Sequence, residues 1–374
     1  MHRFHPISLV VLIALAACTS APASSGSSST PSAPSSAGTT ARASTYRVLF
    51  TASTTSGNEI FLYDSASSTP QQLVSLGAGV APEAHFVSAQ KIAYVDATTP
   101  SIRIMTFDLS TRASTADVTV SGGFVAAFAY SHDGSMLAYL LHDASNKPSL
   151  HVRRGGQETS LNLNAIAGRG VGRDDELRLE YSPDDKYLLM VDTFVGNQGQ
   201  APETGQFLVL RTADDSVAFL PPAGTSANAT MATWARHSDR LYYRDAVGVR
   251  TWDAGVASVG TLASGLHWYD PAPSPDDRWL AYTDIGTNFV PHVKLYDLQA
   301  NQNVTTSPAP RSHPIFITGD TLWYLEEQAC SSECLGGPSQ PSGKVFAYNL
   351  TSKSETTLPF SDVHSLSQLS VFPG

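Results

Sequence analysis

Six acids recur at one place in a repeated pattern of this 374-residue chain: Asp96, Asp143, Asp192, Asp245, Asp284 and Glu326 each close or follow an alternating apolar run. If those runs end on one face, the acids form a ring there. A ring of carboxylates suits two kinds of chemistry. It can hold a cation or a cationic ligand, or each acid can accept hydrogen bonds from the amides of the turn that follows it. Recurrence in nearly every copy favours the second, a constraint of the repeat over a single site. Ser131-His132-Asp133-Gly134 sets Ser, His and Asp side by side, but adjacency along a turn is not a catalytic triad. His85, His142, His151, His267, His292, His313 and His364 are scattered, and each is expected to be structural. No metal site and no cofactor is expected. The chain has no Gly-x-Ser-x-Gly elbow, no His-Glu-x-x-His and no Gly-x₄-Gly-Lys-Ser/Thr.

The elements that position these acids are copies of one phrase. It is sharpest at Ser274-Pro275-Asp276-Asp277-Arg278-Trp279-Leu280-Ala281-Tyr282-Thr283-Asp284 and returns at Ser182 to Asp192 and at Ser131 to Leu140. Worn copies stand at His237 to Asp245, Gln90 to Asp96 and Gly319 to Glu326. Pro presets φ at the second corner of a turn, and Asp and Gly suit the next corners. The run after the turn has the alternation and the aromatic content of a packed strand. A third strand follows each time and often ends in an aromatic and an acid or amide, as in Leu295-Tyr296-Asp297 and Ala347-Tyr348-Asn349. A fainter fourth comes after it. The second strands begin near Arg47, Lys91, Met136, Tyr187, Arg240, Trp279 and Thr321, in steps of 44, 45, 51, 53, 39 and 42 residues. Four strands per unit at such a period mark a β-propeller. The fold expected is therefore all-β: a seven-bladed β-propeller over residues 46–374, with four antiparallel strands per blade. Blade one lacks a first strand near Tyr46. The leftover tail, ending Leu369-Ser370-Val371-Phe372-Pro373-Gly374, is expected to supply it and close the ring.

The Ser-Pro-Asp-Gly/Asp turn followed by Leu-Ala-Tyr-x-Asp resembles the repeat of TolB-type propellers. It is also similar to the propeller domains of prolyl oligopeptidase-like enzymes. The resemblance covers about residues 46–374 and implies a binding scaffold. Loops after second strands and those joining blades share one face of such a fold, and three are long. They are Asn164 to Glu176, with Arg169, Arg173, Asp174 and Asp175; Thr193 to Gln206, with Phe194, Asn197, Gln198 and Glu203; and Glu327 to Gly343, holding Cys330 and Cys334. Binding residues concentrate on loops held by a rigid scaffold, although length by itself also arises by neutral drift. In an exported protein a cysteine pair this close reads as a disulfide, here one that stiffens a single loop.

The N-terminus reads as an export signal. Ile7 to Ala17 is apolar apart from Ser8, too short to span a bilayer comfortably and suited to a signal peptide. It ends Leu15-Ala16-Ala17-Cys18, which resembles the bacterial lipobox. That implies cleavage before Cys18, its lipidation, and palmitate-type anchoring to the membrane. Residues 1–17 are thus expected to be a signal peptide. Residues 18–45 would be the lipidated Cys18 and a Ser/Ala/Pro tether that cannot bury enough apolar surface to fold. All 33 acids and all but two of the 23 Lys and Arg residues lie beyond Thr45, a net charge of about −12. That argues against a nucleic-acid partner, which needs a basic stripe. The function expected is an exported, membrane-anchored monomer in the cell envelope, periplasmic or extracellular, binding a protein or envelope-glycan partner without catalysis. The alternative is a lactonase- or glycan-active propeller with carboxylates at the channel mouth.

Overall fold

The computed structural model describes residues 45–373, apart from 55–56, 68, 77–82, 99–100, 164, 166–175, 195–203, 222–229, 246, 265–267, 286–289, 330–338 and 360–368. The chain forms seven four-stranded antiparallel sheets, each drawn from consecutive strands except the first. The second strands are Tyr46–Thr54, Lys91–Asp96, Met136–His142, Tyr187–Phe194, Arg240–Arg244, Trp279–Asp284 and Thr321–Ala329. Their starts match the repeat to within a residue. Blade one takes its first strand, Ser370–Pro373, from the C-terminus. The pairing runs Tyr46↔Pro373, Arg47↔Phe372, Val48↔Val371 and Leu49↔Ser370. The ring closes as the sequence implies.

Each second strand is apolar on both faces because it has a blade on either side. In blade six Leu280 and Tyr282 pack toward blade five, and Ala281 packs toward blade seven. In blade four Leu188 and Met190 face blade three, while Leu189 and Val191 face blade five. The period of two thus sends alternate side chains into different inter-blade layers. Among the described residues the buried apolar side chains form seven clusters, one between each pair of neighbouring blades. Between blades seven and one, Trp323 and Leu325 meet Val48, Phe50 and Leu369.

The Ser-x-Asp turn is a closed hydrogen-bond circuit. Ser274 Oγ accepts from Trp279 N at 2.9 Å and donates to Asp276 Oδ1 at 2.6 Å, which also accepts from Arg278 N at 3.2 Å. Ser182, Asp184 and Lys186 repeat these bonds, as do Ser131, Asp133 and Ser135. All three serines are buried, so the circuit satisfies polar groups that water cannot reach. The fourth residue of the turn reaches outward. Asp277, at φ 52°, accepts from Arg236 N at 2.6 Å and His237 N at 2.9 Å in blade five. Asp185, at φ 59°, accepts from His132 N at 2.9 Å and Asp133 N at 3.4 Å in blade three, and lies 2.8 Å from His132 Nδ1. The second Asp of Ser-Pro-Asp-Asp is therefore a latch between blades, and it bears a left-handed backbone to act as one. Ser131-His132-Asp133 is this turn, not a triad.

Blade five breaks the pattern. Its turn carries Asp239, which below about pH 6 donates a hydrogen bond to Asp184 of blade four. Burial, together with the hydrogen bond and the like charge of Asp184, pushes Asp239 up to about 6. Burial also opposes the charge on Asp184, but Lys186, the turn amide and Ser182 outweigh it and hold the carboxyl down at about 2. Lys186 Nζ lies 2.5 Å from Asp184. A raised carboxyl pKa stabilises the fold below the unfolded value of about 3.9. That contribution is lost as pH rises through about 6. We expect Asp239→Asn to keep a donor toward Asp184 without the second charge. It should remove up to about 1 kcal/mol of destabilisation between pH 4 and 7, a figure discounted for solvent screening. The check is the difference in denaturation midpoint between wild type and variant across that range. A difference that stays flat with pH would contradict this hydrogen bond.

Candidate functional site

The acids that end the second strands are mostly engaged within their own blades. Asp96 lies 2.5 Å from Arg103 and accepts from Thr98 Oγ1 at 2.6 Å. Burial works against its charge, but these bonds prevail and lower its pKa. Asp245 accepts from Val247 N and Gly248 N and lies 3.7 Å from Arg250. Asp284 is bonded to Lys294. Glu326 accepts from Ser342 at 2.7 Å and lies 3.3 Å from Lys344, and these hold its carboxyl below the usual range. In blades two, five, six and seven the neutralising base comes from the third strand of the same sheet. Asp143 caps its turn, accepting from Ser145 N and Lys147 N. Asp192 is fully buried. Five of the six recurrent acids are thus engaged structurally within their own blades, as their recurrence suggested.

Most of the loop residues singled out from sequence lie outside the described residues: Arg169, Arg173, Asp174, Asp175, Asn197, Gln198 and Glu203, and likewise Cys18, Cys330 and Cys334. Phe194 ends the second strand of blade four, opposite Thr204. The long loop of blade seven is shorter than its sequence suggests. Glu327↔Pro341, Gln328↔Gln340 and Ala329↔Ser339 continue the ladder.

The structure adds a cluster that spacing did not reveal. The first strands of blades five, six and seven are Thr230–Trp234, Trp268–Pro273 and Arg311–Thr318. Each is interrupted by a bulge near its start, beside the face of the blade-joining loops. At each bulge stands a non-glycine residue with positive φ: Met231 at 59°, Asp270 at 50° and His313 at 52°. Bulges re-aim side chains, and strained backbone persists only where surrounding structure enforces it. Here hydrogen bonds run from blade to blade. Asp270 N points to Met231 Sδ at 3.1 Å. Thr283 Oγ1 accepts from His313 N at 3.0 Å and donates to Asp270 Oδ2 at 3.2 Å. His313 Nδ1 lies 2.9 Å from Ser312 Oγ, whose proton goes to the buried Glu327. His313 Nε2 faces Asp270 Oδ2 across 3.8 Å, both side chains about one third exposed. Beside them Arg244 lies over the Tyr269 ring at 4.5 Å, and Trp268 is core, stacked on Tyr282. Asp270 and His313 are 43 positions apart in the chain. The one trace of the pair in sequence is that both precede proline in a first strand.

The chain matches no protein-family model and no curated protein. Among solved structures it is similar to TolB from Acinetobacter baumannii. The identity is 14% and the TM-score 0.51, with 88% of this chain and 67% of that chain covered. It is also similar to a puromycin-hydrolyzing peptidase of Mycobacterium tuberculosis. There the identity is 13% and the TM-score 0.54, with 84% of this chain and 53% of that chain covered. The chain therefore spans about two thirds of the first and about half of the second. At these identities the likeness is one of fold alone.

Proposed function

We propose that this protein is an exported lipoprotein, anchored through Cys18, whose propeller is a non-enzymatic scaffold. It binds a protein or envelope partner at the face bearing the blade-joining loops. The anchor rests on Leu15-Ala16-Ala17-Cys18 and the tether behind it. The scaffold reading rests chiefly on one observation: the second-strand acids of four blades are neutralised by Arg103, Arg250, Lys294 and Lys344 of their own sheets. These pairs stiffen the rim on which the long loops are set. A lactonase- or glycan-active enzyme would need several polar groups converging on one void, and these four acids are already occupied. The negative charge of the propeller points away from nucleic acid.

The test combines anchoring and capture. Wild-type protein should sediment with membranes, and Cys18→Ser should move most of it to the soluble fraction. Immobilised wild type should retain a partner from detergent-solubilised envelope. That capture should fall at least tenfold when residues 195–203 and 330–338 are replaced by short turns, with little change in melting temperature. Membrane retention of Cys18→Ser would overturn the anchor, and undiminished capture by the loop variant would overturn the face.

A further inference from the structure

The pair Asp270 and His313 has a gap between two hydrogen-bond acceptors, and we propose that it receives a primary ammonium group of a ligand. The inference deepens the scaffold reading and rests on it only for the choice of face. The tautomer of His313 follows from its neighbours. Ser312 donates its hydroxyl proton to Glu327. Ser312 Oγ then accepts, and His313 Nδ1 carries the proton that it receives. In the neutral ring the lone pair is then left on Nε2, 3.8 Å from Asp270 Oδ2. Two acceptors facing each other at that separation cannot bond to one another. A single ammonium nitrogen can stand about 2.8–3.0 Å from both and donate to each. Thr283 holds Asp270 in place by donating to the same oxygen.

Among the described residues, the bases on the neighbouring strands are engaged elsewhere. Lys294 is on Asp284, Lys344 on Glu326, and Arg311 on Glu355, while Arg244 lies over Tyr269. The net charge of about −12 beyond Thr45 draws cations toward the surface. An ammonium group is offered both by free diamines and by lysine side chains, and the pair would recognise either through the same two acceptors.

The test uses the full chain, purified in detergent and labelled at histidine Cε1, observed by NMR at pH 7.5. The probes are cadaverine and acetyl-Ala-Lys-Ala amide, with acetyl-Ala-norleucine-Ala amide as the uncharged control. The resonance that disappears in His313→Gln identifies His313. It should shift saturably with at least one amine probe and not with the control. Asp270→Asn should weaken that binding at least tenfold while the other histidine resonances keep their positions. A response to cadaverine alone assigns the site to free amines, and a response to the peptide assigns it to lysine side chains. The proposal is overturned if His313 is already protonated at pH 7.5 without probe. It is likewise overturned if neither amine shifts it, or if Asp270→Asn binds as wild type does. None of these readings depends on partner capture, so the scaffold proposal and this one can fail separately.

Discussion

A chain ending at Gln368 should lose the ring as a whole, not merely fray at one end. The missing strand supplies all four pairs that cover the inner edge of Tyr46–Leu49. The truncation also removes Leu369, buried beside Trp323 and Val48. Phe372 goes too, lying 5.5 Å from Phe86 and under the Arg47 guanidinium. Ser370 Oγ, which accepts from Phe86 N of blade two at 3.0 Å, is removed with it. Losing one buried leucine costs about 2–5 kcal/mol. With the aromatic contact and a newly exposed sheet edge, the total is on the order of 5 kcal/mol, comparable with the whole stability of many domains. The expected result is a melting midpoint lower by more than about 10 °C and proteolysis throughout the propeller. Leu369→Ala should give a graded loss of about 2–3 kcal/mol. A truncated protein with the wild-type midpoint and intact protease resistance would contradict the closure. Refolding of the intact chain should be slow, because this pairing waits on the contact most distant in sequence.

The second large effect is expected at the latches. Asp277→Ala leaves the amides of Arg236 and His237 without their acceptor, and Asp185→Ala does the same to His132 and Asp133. A charge-assisted bond to a backbone amide contributes about 1.5–3 kcal/mol. Solvent replaces part of that at a surface turn, so each variant should lose about 1–2 kcal/mol. The two latches share no partner, so the double variant should lose roughly the sum. Asp277→Gly separates the two demands on this position. It relieves the left-handed backbone, as Gly134 does at φ 70° in the turn of blade three, but forfeits the bonds. It should therefore fall between wild type and Asp277→Ala. Hydrogen exchange reads the mechanism directly. The amides of Arg236 and His237 should exchange at least tenfold faster in Asp277→Ala, with blade three unaffected. Unchanged exchange at those two amides would show that the latch does not act.

What the sequence determined here is what is local. The turn circuit of Ser274, Asp276, Arg278 and Trp279 lies within six consecutive residues, so residue types alone specify it. The same holds for the alternation of Leu280, Ala281 and Tyr282, whose period of two is a property of an extended chain. Repetition of these two features yields the blade count and the start of every second strand. The final residues are legible as the missing strand because they end in the same strand-to-turn passage. Most of the recurrent acids were legible as structural for a related reason, since a feature repeated around a ring answers to the repeat. The tertiary structure decided what depends on one blade meeting the next. That Asp277 and Asp185 bond the preceding turn is invisible in a motif, because their partners are backbone amides with no sequence signature. The hydrogen bond between Asp239 and Asp184 needs the fifth turn placed beside the fourth. Asp270 and His313 meet only because ring closure sets the first strands side by side and bulges turn their third residues to one point. Side-chain order along a strand is written in the sequence; distance across a ring is set by packing, and the site lives in that distance.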